Sequence, residues 1–182
     1  MKDIDEYQSL AHRTMKQEEI PKMMLHCIMG MAGEVGELRE AMGPEGETIV
    51  GELGDCMWYS ANLCQILGYK MTHLFQREVA GVGLGWSLID QMMVASSRLI
   101  ELAKKHEFYG KGYDLAELEN YLAMYLHALV KLILSYELDV EYVAETNIKK
   151  LEKRYPDLRF DAMRAKNRDY AAESKAAGIN IE

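Results

Sequence analysis

The chain has 182 residues, 49% of them hydrophobic, so it can bury a core of its own and does not read as disordered. Its formal net charge of −8 argues against a binder of nucleic-acid polymers, which would present a basic face, but leaves room for a small anionic substrate whose contact is mediated by a cation. No apolar run approaches the roughly 18 residues needed to span a bilayer. The opening MKDIDEYQ is polar and lacks signal-peptide character, and the cysteines, Cys27, Cys56 and Cys64, fit a reduced, cytoplasmic protein.

Strand signals are weak throughout, and Pro21, Pro44 and Pro156 fall where helices should start or stop. The fold class predicted is therefore all-α, a single-domain bundle of five to six helices. A first helix is expected over Asp5–Glu18. A second opens at Pro21 and ends near Met42, before GPEG, with Met24 or Leu25, Ile28, Met31, Val35, Leu38 and Met42 in a 3–4 alternation that marks a buried seam. A third, from Thr48 to Leu67, repeats the alternation in Ile49, Leu53, Cys56, Ser60, Leu63 and Leu67. A short helix over Met71–Val79 precedes the glycine-rich break GVGLG. Then comes a helix with Leu88, Met92, Ala95, Leu99 and Leu102, and EFYGKGYD reads as a loop. The next helix carries Leu118, Leu122, Tyr125, Leu129, Leu132 and Tyr136, and the last long one, Val140–Tyr155, carries Ala144, Ile148, Leu151 and Tyr155. The tail beyond Pro156 is polar and part helical.

GELGDCMWYSANLCQIL is similar to AELENYLAMYLHALVKL further along, matching Glu52 with Glu117 and Asp55 with Asn120. The helix before the second copy then places Arg98 and Glu101 near the positions of Glu34 and Glu37. Either a helical pair has been duplicated and its second copy has lost the full acid set, or two amphipathic helices align by pattern alone.

The sequence GEVGELREAMGPEGETIVGELGDC sets glycines and acids side by side inside two helices. Gly33, Gly36, Gly51 and Gly54 together cost about 3–4 kcal/mol of helix stability against alanine. Glu34, Glu37, Glu52 and Asp55 each lie one residue before a seam residue, so each pair sits on the shoulder of its buried face. If the two helices pack antiparallel, four carboxylates converge, and a cation must then relieve their repulsion. Oxygen-only ligands suit Mg²⁺, with Mn²⁺ as a substitute. Small residues would let the backbones approach and leave room for metal and substrate. A solvated acidic face is the plain alternative for either pair alone. On the last long helix, Asn147, Lys150 and Arg154 share a face at i, i+3 and i+7, a donor-rich surface of the kind a polyphosphate needs.

These residues resemble the MazG-like all-α nucleoside triphosphate pyrophosphohydrolases, whose signature is E-x-x-E, a spacer and E-x-x-D. Here that is Glu34, Glu37, Glu52 and Asp55, with fourteen residues between Glu37 and Glu52. The later N-x-x-K-L-x-x-R-Y-P pattern falls on Asn147, Lys150, Leu151, Arg154, Tyr155 and Pro156, and AKNRDYAAE is similar to the tail of shorter, phage-type members. The resemblance covers about residues 22–70 and 140–173. The helical pair over 84–137 departs from simple members and resembles the tandem arrangement of the dimeric dUTPase relatives. The resemblance implies Mg²⁺-dependent hydrolysis of a nucleoside triphosphate between the α and β phosphates, for a deoxynucleotide such as dUTP or dCTP. Glu37 or Glu34 would be the general base, Lys150 and Arg154 would neutralise the leaving pyrophosphate, and Asn147 would orient a phosphate or sugar.

Trp58, one turn beyond Asp55, either stacks on a base or fills the core. His26, His73 and His127 read as structural, and no E-x-x-H occurs to suggest a di-iron bundle. Asn167, Arg168 and Asp169 either close over a nucleotide or belong to a solvated tail. Exposed seam surface on such a bundle predicts a homodimer or higher homo-oligomer. A housecleaning enzyme for damaged nucleotides, a phosphoribosyl-ATP pyrophosphohydrolase and a catalytically silent helical module are the competing readings.

Overall fold

A computed structural model describes residues 3–42, 49–77, 79, 83 and 85–179. Among them the chain forms nine helices and no strand: α1 (Ile4–Arg13), α2 (Ile20–Ala41), α3 (Ile49–Leu67), α4 (Met71–Phe75), α5 (Leu88–Tyr109), α6 (Leu115–Ser135), α7 (Val140–Arg154), α8 (Ala162–Lys166) and α9 (Tyr170–Ala177). The all-α class therefore holds. The count exceeds five to six because short helices form at 71–75 and in the tail. The GPEG turn, Thr48 and most of the glycine-rich break fall outside the described residues.

Local chemistry explains the boundaries. Asp3 caps α1, its carboxylate accepting from the Glu6 N–H at 2.8 Å. The helix stops at Arg13 rather than Glu18: Thr14 takes the C-cap, and its hydroxyl turns back to donate to the Ala11 carbonyl at 2.7 Å. Pro21 lies in the first turn of α2, where its missing N–H costs nothing. A reciprocal capping box between Ser87 and Asp90 opens α5. That helix absorbs the first residues of EFYGKGYD and ends only at Gly110, whose φ of 62° is left-handed. The helix expected over Met71–Val79 closes at Phe75.

Four helices form a ring, in which α2 packs on α3 and α5, and α6 packs on α5 and α3. The contacts of α2 with α3 run in opposite directions along the two helices, from the Glu37–Glu52 end to Gly30 against Tyr59, so the pair is antiparallel. On the outer side of α3 lie α1 and α7, and α9 rests on α7. One apolar core threads the whole, with Ile28, Met31, Leu38, Leu53, Leu63, Met92, Leu99 and Leu122 fully buried. Met24 rather than Leu25 occupies the seam of α2. The three cysteines are free and buried. No single helix among the described residues is long and apolar enough to cross a membrane.

The helix glycines divide into two kinds. A Cβ on Gly54 would lie 3.0 Å from the Asn147 Cβ, so this glycine lets α7 close on α3. Gly33 and Gly36 are exposed, and a Cβ on either would meet nothing within 4 Å. Packing therefore explains Gly54 but not the α2 pair. Gly54→Ala should lower stability by about 1–3 kcal/mol through overpacking. Gly33→Ala and Gly36→Ala should each raise it by about 0.5–1 kcal/mol. Urea denaturation of the three variants checks both signs.

Candidate metal and phosphate site

Each acid pair sits at the end of its helix nearest the α2–α3 connection. Glu34 and Glu37 are one turn apart on α2, and Glu52 is in the first turn of α3. One carboxylate oxygen from each of Glu34, Glu37 and Glu52 lies within 4.8 Å of the others. Glu37 is exposed, while Glu34 and Glu52 are half-buried. The Glu34 Oε2 is buried and has no hydrogen-bond partner. An orphaned buried acceptor of this kind costs about 1–3 kcal/mol unless something relieves it. Burial, then the charges of Asp55, Glu37 and Glu52, push the Glu34 carboxyl up to about 8. Glu52 is raised in the same direction, first by burial and then by Asp55. A hard divalent cation answers all of these features at once, so the donor set fits Mg²⁺ or Mn²⁺.

Asp55 stands beside this cluster rather than within it. Asn147 Nδ2 donates to its Oδ1 at 3.1 Å, and the Lys150 ammonium donates to its Oδ2. The Lys150–Asp55 ion pair is largely sheltered from water. Tyr7, missed in the sequence, completes the chain: its fully buried hydroxyl donates to Asn147 Oδ1 at 3.0 Å. That bond turns the Asn147 amide so that its NH₂ meets the Asp55 carboxylate, and the reverse orientation would set oxygen against oxygen. Three helices thus converge on one aspartate. The signal for Tyr7 was an unassigned aromatic in the first helix, with nothing local to link it to a residue 140 positions away.

Arg154 does not point freely into solvent. It forks onto Glu173 of α9, Nε to Oε1 at 3.0 Å and Nη2 to Oε2 at 2.6 Å, and Arg168 Nη2 adds a third bond at 2.9 Å. Burial pulls the Glu173 carboxyl up, yet the bonds from Arg154 and Arg168 outweigh it and hold the group below the usual range.

A cleft of about 390 Å³ is lined by Glu34, Asp55, Arg154 and Arg168, while Glu37, Glu52, Asn147 and Lys150 are not among its lining residues. Trp58, Tyr59, Tyr155 and Phe160 supply its apolar surface. The volume suits a small-molecule ligand. Trp58 is only half-buried, and its indole N–H is tied to the Thr14 hydroxyl at 2.8 Å, which fixes the ring beside the cleft. Tyr155 is mostly buried. His26 packs edge-on against Trp58 and Tyr59, at centroid separations of 6.3 and 5.4 Å. His127 Nδ1 lies 3.3 Å from the Phe75 carbonyl, away from the acids.

The second helical pair carries no equivalent. α5 and α6 pack together as α2 and α3 do, and Arg98, Glu117 and Asn120 line a shared cleft of about 520 Å³. Glu101 is paired with Lys104 instead. Among the described residues, Glu34, Glu37 and Glu52 are the one group of acids, histidines or cysteines close enough to hold a metal.

The raised Glu34 carboxyl has a consequence for stability. Its folded-state pKa lies above the unfolded value, so the native chain holds a proton that the unfolded chain releases. Its contribution is fully present below about pH 4.5 and is lost as pH rises through about 8. In EDTA, Glu34→Gln should therefore melt higher than wild type at pH 8.5, and the two should converge at pH 4.5. Equal melting temperatures at both pH values would remove Glu34 from the electrostatic strain.

No protein-family model matches the chain, and neither a curated protein nor a solved structure does.

Proposed function

We propose that this chain is a divalent-cation-dependent nucleoside triphosphate pyrophosphohydrolase of the MazG-like all-α type. Its products would be a nucleoside monophosphate and pyrophosphate. The observation that carries the reading is that one cleft is lined by residues with an unmet buried acceptor and an unmet buried donor. Glu34 Oε2 is a buried acceptor and Arg168 Nε a buried donor, and neither has a hydrogen-bond partner. A bare anion would be repelled by the carboxylates, and a bare cation would leave the Arg168 Nε–H unmet. A metal–polyphosphate satisfies both.

Glu34, Glu37 and Glu52 would hold the cation, with Asp55 as the fourth acid beside them. The cation supplies Lewis-acid polarisation of the phosphate oxygens. Water attacks the α-phosphorus, the bond to the bridging oxygen breaks, and pyrophosphate departs. The water's proton passes to a carboxylate of the cluster, Glu37 or Glu34. Glu37 is the exposed member, from which the proton can reach solvent. Lys150 would neutralise phosphate charge from its place on Asp55, and Arg154 would add a second cation from the cleft lining. Asn147 and Tyr7 keep Asp55 in place. The aromatic surface of Trp58, Tyr59 and Phe160 would take the base by stacking. Deoxynucleotides such as dUTP and dCTP are the first substrates to test, with damaged nucleotides and phosphoribosyl-ATP as further candidates of the same bond chemistry. The working form proposed is a homodimer or higher homo-oligomer, supported by exposed apolar side chains on α5, Met93 at 49% and Phe108 at 79%.

Incubation with a panel of NTPs and dNTPs, with Mg²⁺ and with EDTA, should yield pyrophosphate and monophosphate only with the metal. Orthophosphate in place of pyrophosphate, or turnover undiminished by EDTA, would reject the reading. Glu52→Gln should weaken Mn²⁺ binding in titration calorimetry by at least tenfold. Lys150→Ala should retain metal binding and lose most turnover. Full activity in Lys150→Ala would take that residue out of the scheme.

A further inference from the structure

Two arginines share a single buried carboxylate at the edge of the cleft, and one of them is not needed there. Glu173 is 2% exposed, and a carboxylate so buried must be paired. Arg154 already meets both of its oxygens in the fork geometry that suits a carboxylate best. Arg168 adds one further bond, from Nη2 to Oε2. Docking α9 onto α7 therefore accounts for Arg154 and leaves Arg168 redundant. One positive charge remains uncompensated by the shared carboxylate.

The position of Arg168 is nonetheless closely specified. Its guanidinium lies over the Tyr170 ring, 4.2 Å from Cζ to the centroid, and the bond to Glu173 sets the rotation of its plane. Held this way, its Nε–H is buried with no acceptor. The same cleft contains Glu34 and Asp55. A guanidinium whose plane is fixed on two sides and whose buried Nε–H is unmet is pre-organised for an oxyanion.

We propose that Arg168, brought to the cleft by the C-terminal segment and oriented by Glu173 and Tyr170, binds a phosphate oxygen of the cation-loaded polyphosphate. The proposal rests on the reading of the cleft given under Proposed function. It assigns the segment between α8 and α9 to the substrate site, which α2, α3 and α7 alone do not complete.

The test is calorimetric titration of inorganic tripolyphosphate in Mg²⁺ into wild type, Arg168→Ala and Arg168→Gln, with melting temperature and far-UV circular dichroism on each. Arg154 still holds Glu173 in both variants, so α9 should stay docked and the helix content should not change. Tripolyphosphate affinity should fall at least tenfold in both. Undiminished affinity in a folded variant would overturn the proposal and leave the reaction standing; a lowered melting point with that affinity would assign Arg168 to docking alone. Should Arg168→Ala lose helix content, Arg168→Gln, which keeps the side-chain stem and a donor, decides the matter. Wild type that neither binds tripolyphosphate nor releases pyrophosphate from any nucleotide would overturn this proposal and the functional reading together.

Discussion

Three carboxylate oxygens from two antiparallel helices lie within 4.8 Å of one another, and the rest of the cleft answers to that repulsion. The protein compensates only part of it. Lys150 neutralises Asp55, the neighbour whose charge bears on both Glu34 and Glu52. The buried oxygen of Glu34 is left unmet. A chain selected for stability alone would have replaced Glu34, because an orphaned buried acceptor costs about 1–3 kcal/mol. The orphaned acceptor at Glu34 belongs to the acid cluster of the α2–α3 pair.

The packing around the cluster is organised to hold it. Gly54 removes the side chain that would keep α7 off α3, and the closeness so gained puts Asn147 in reach of Asp55. Tyr7 of α1 then fixes the Asn147 amide from behind. The α5–α6 pair takes no part in this chemistry. Its seam closes the ring against α2 and α3, so that the acid-bearing pair is buried on one side and open to the cleft on the other. The resemblance between AELENYLAMYLHALVKL and GELGDCMWYSANLCQIL fits this division: apolar positions that build the ring recur, while the full acid set does not, with Asn120 at the Asp55 position and Arg98 near that of Glu34.

Much of the fold was legible because helix seams are local. The 3–4 alternations picked out Ile28, Met31, Val35, Leu38, Leu53, Cys56, Met92, Leu99, Leu122 and Leu129, all of which are buried. Boundaries were less legible where a cap competed with the pattern. The polar residues after Arg13 continue a helical rhythm, but the Thr14 hydroxyl ends it by bonding back to Ala11 and receiving Trp58. Gly110 decided the end of α5 in the other direction, since helix formation runs on to the first residue that adopts a left-handed backbone. The glycines of the acid motif look alike in the sequence, yet Gly54 meets a neighbouring helix and Gly33 and Gly36 meet nothing.

The sequence by itself determined the all-α class, the seams and the placing of Glu34, Glu37, Glu52 and Asp55 on helix shoulders, because residues three and four apart share a face whatever surrounds them. Only the tertiary structure decided how those side chains pair. Asp55 meets a lysine 95 positions away instead of joining the other acids, Asn147 receives a tyrosine 140 positions away, and Arg154 shares Glu173 with Arg168. Pairings of that kind depend on how helices cross and how closely they approach. Those quantities are set by the whole core at once, and no local spacing encodes them.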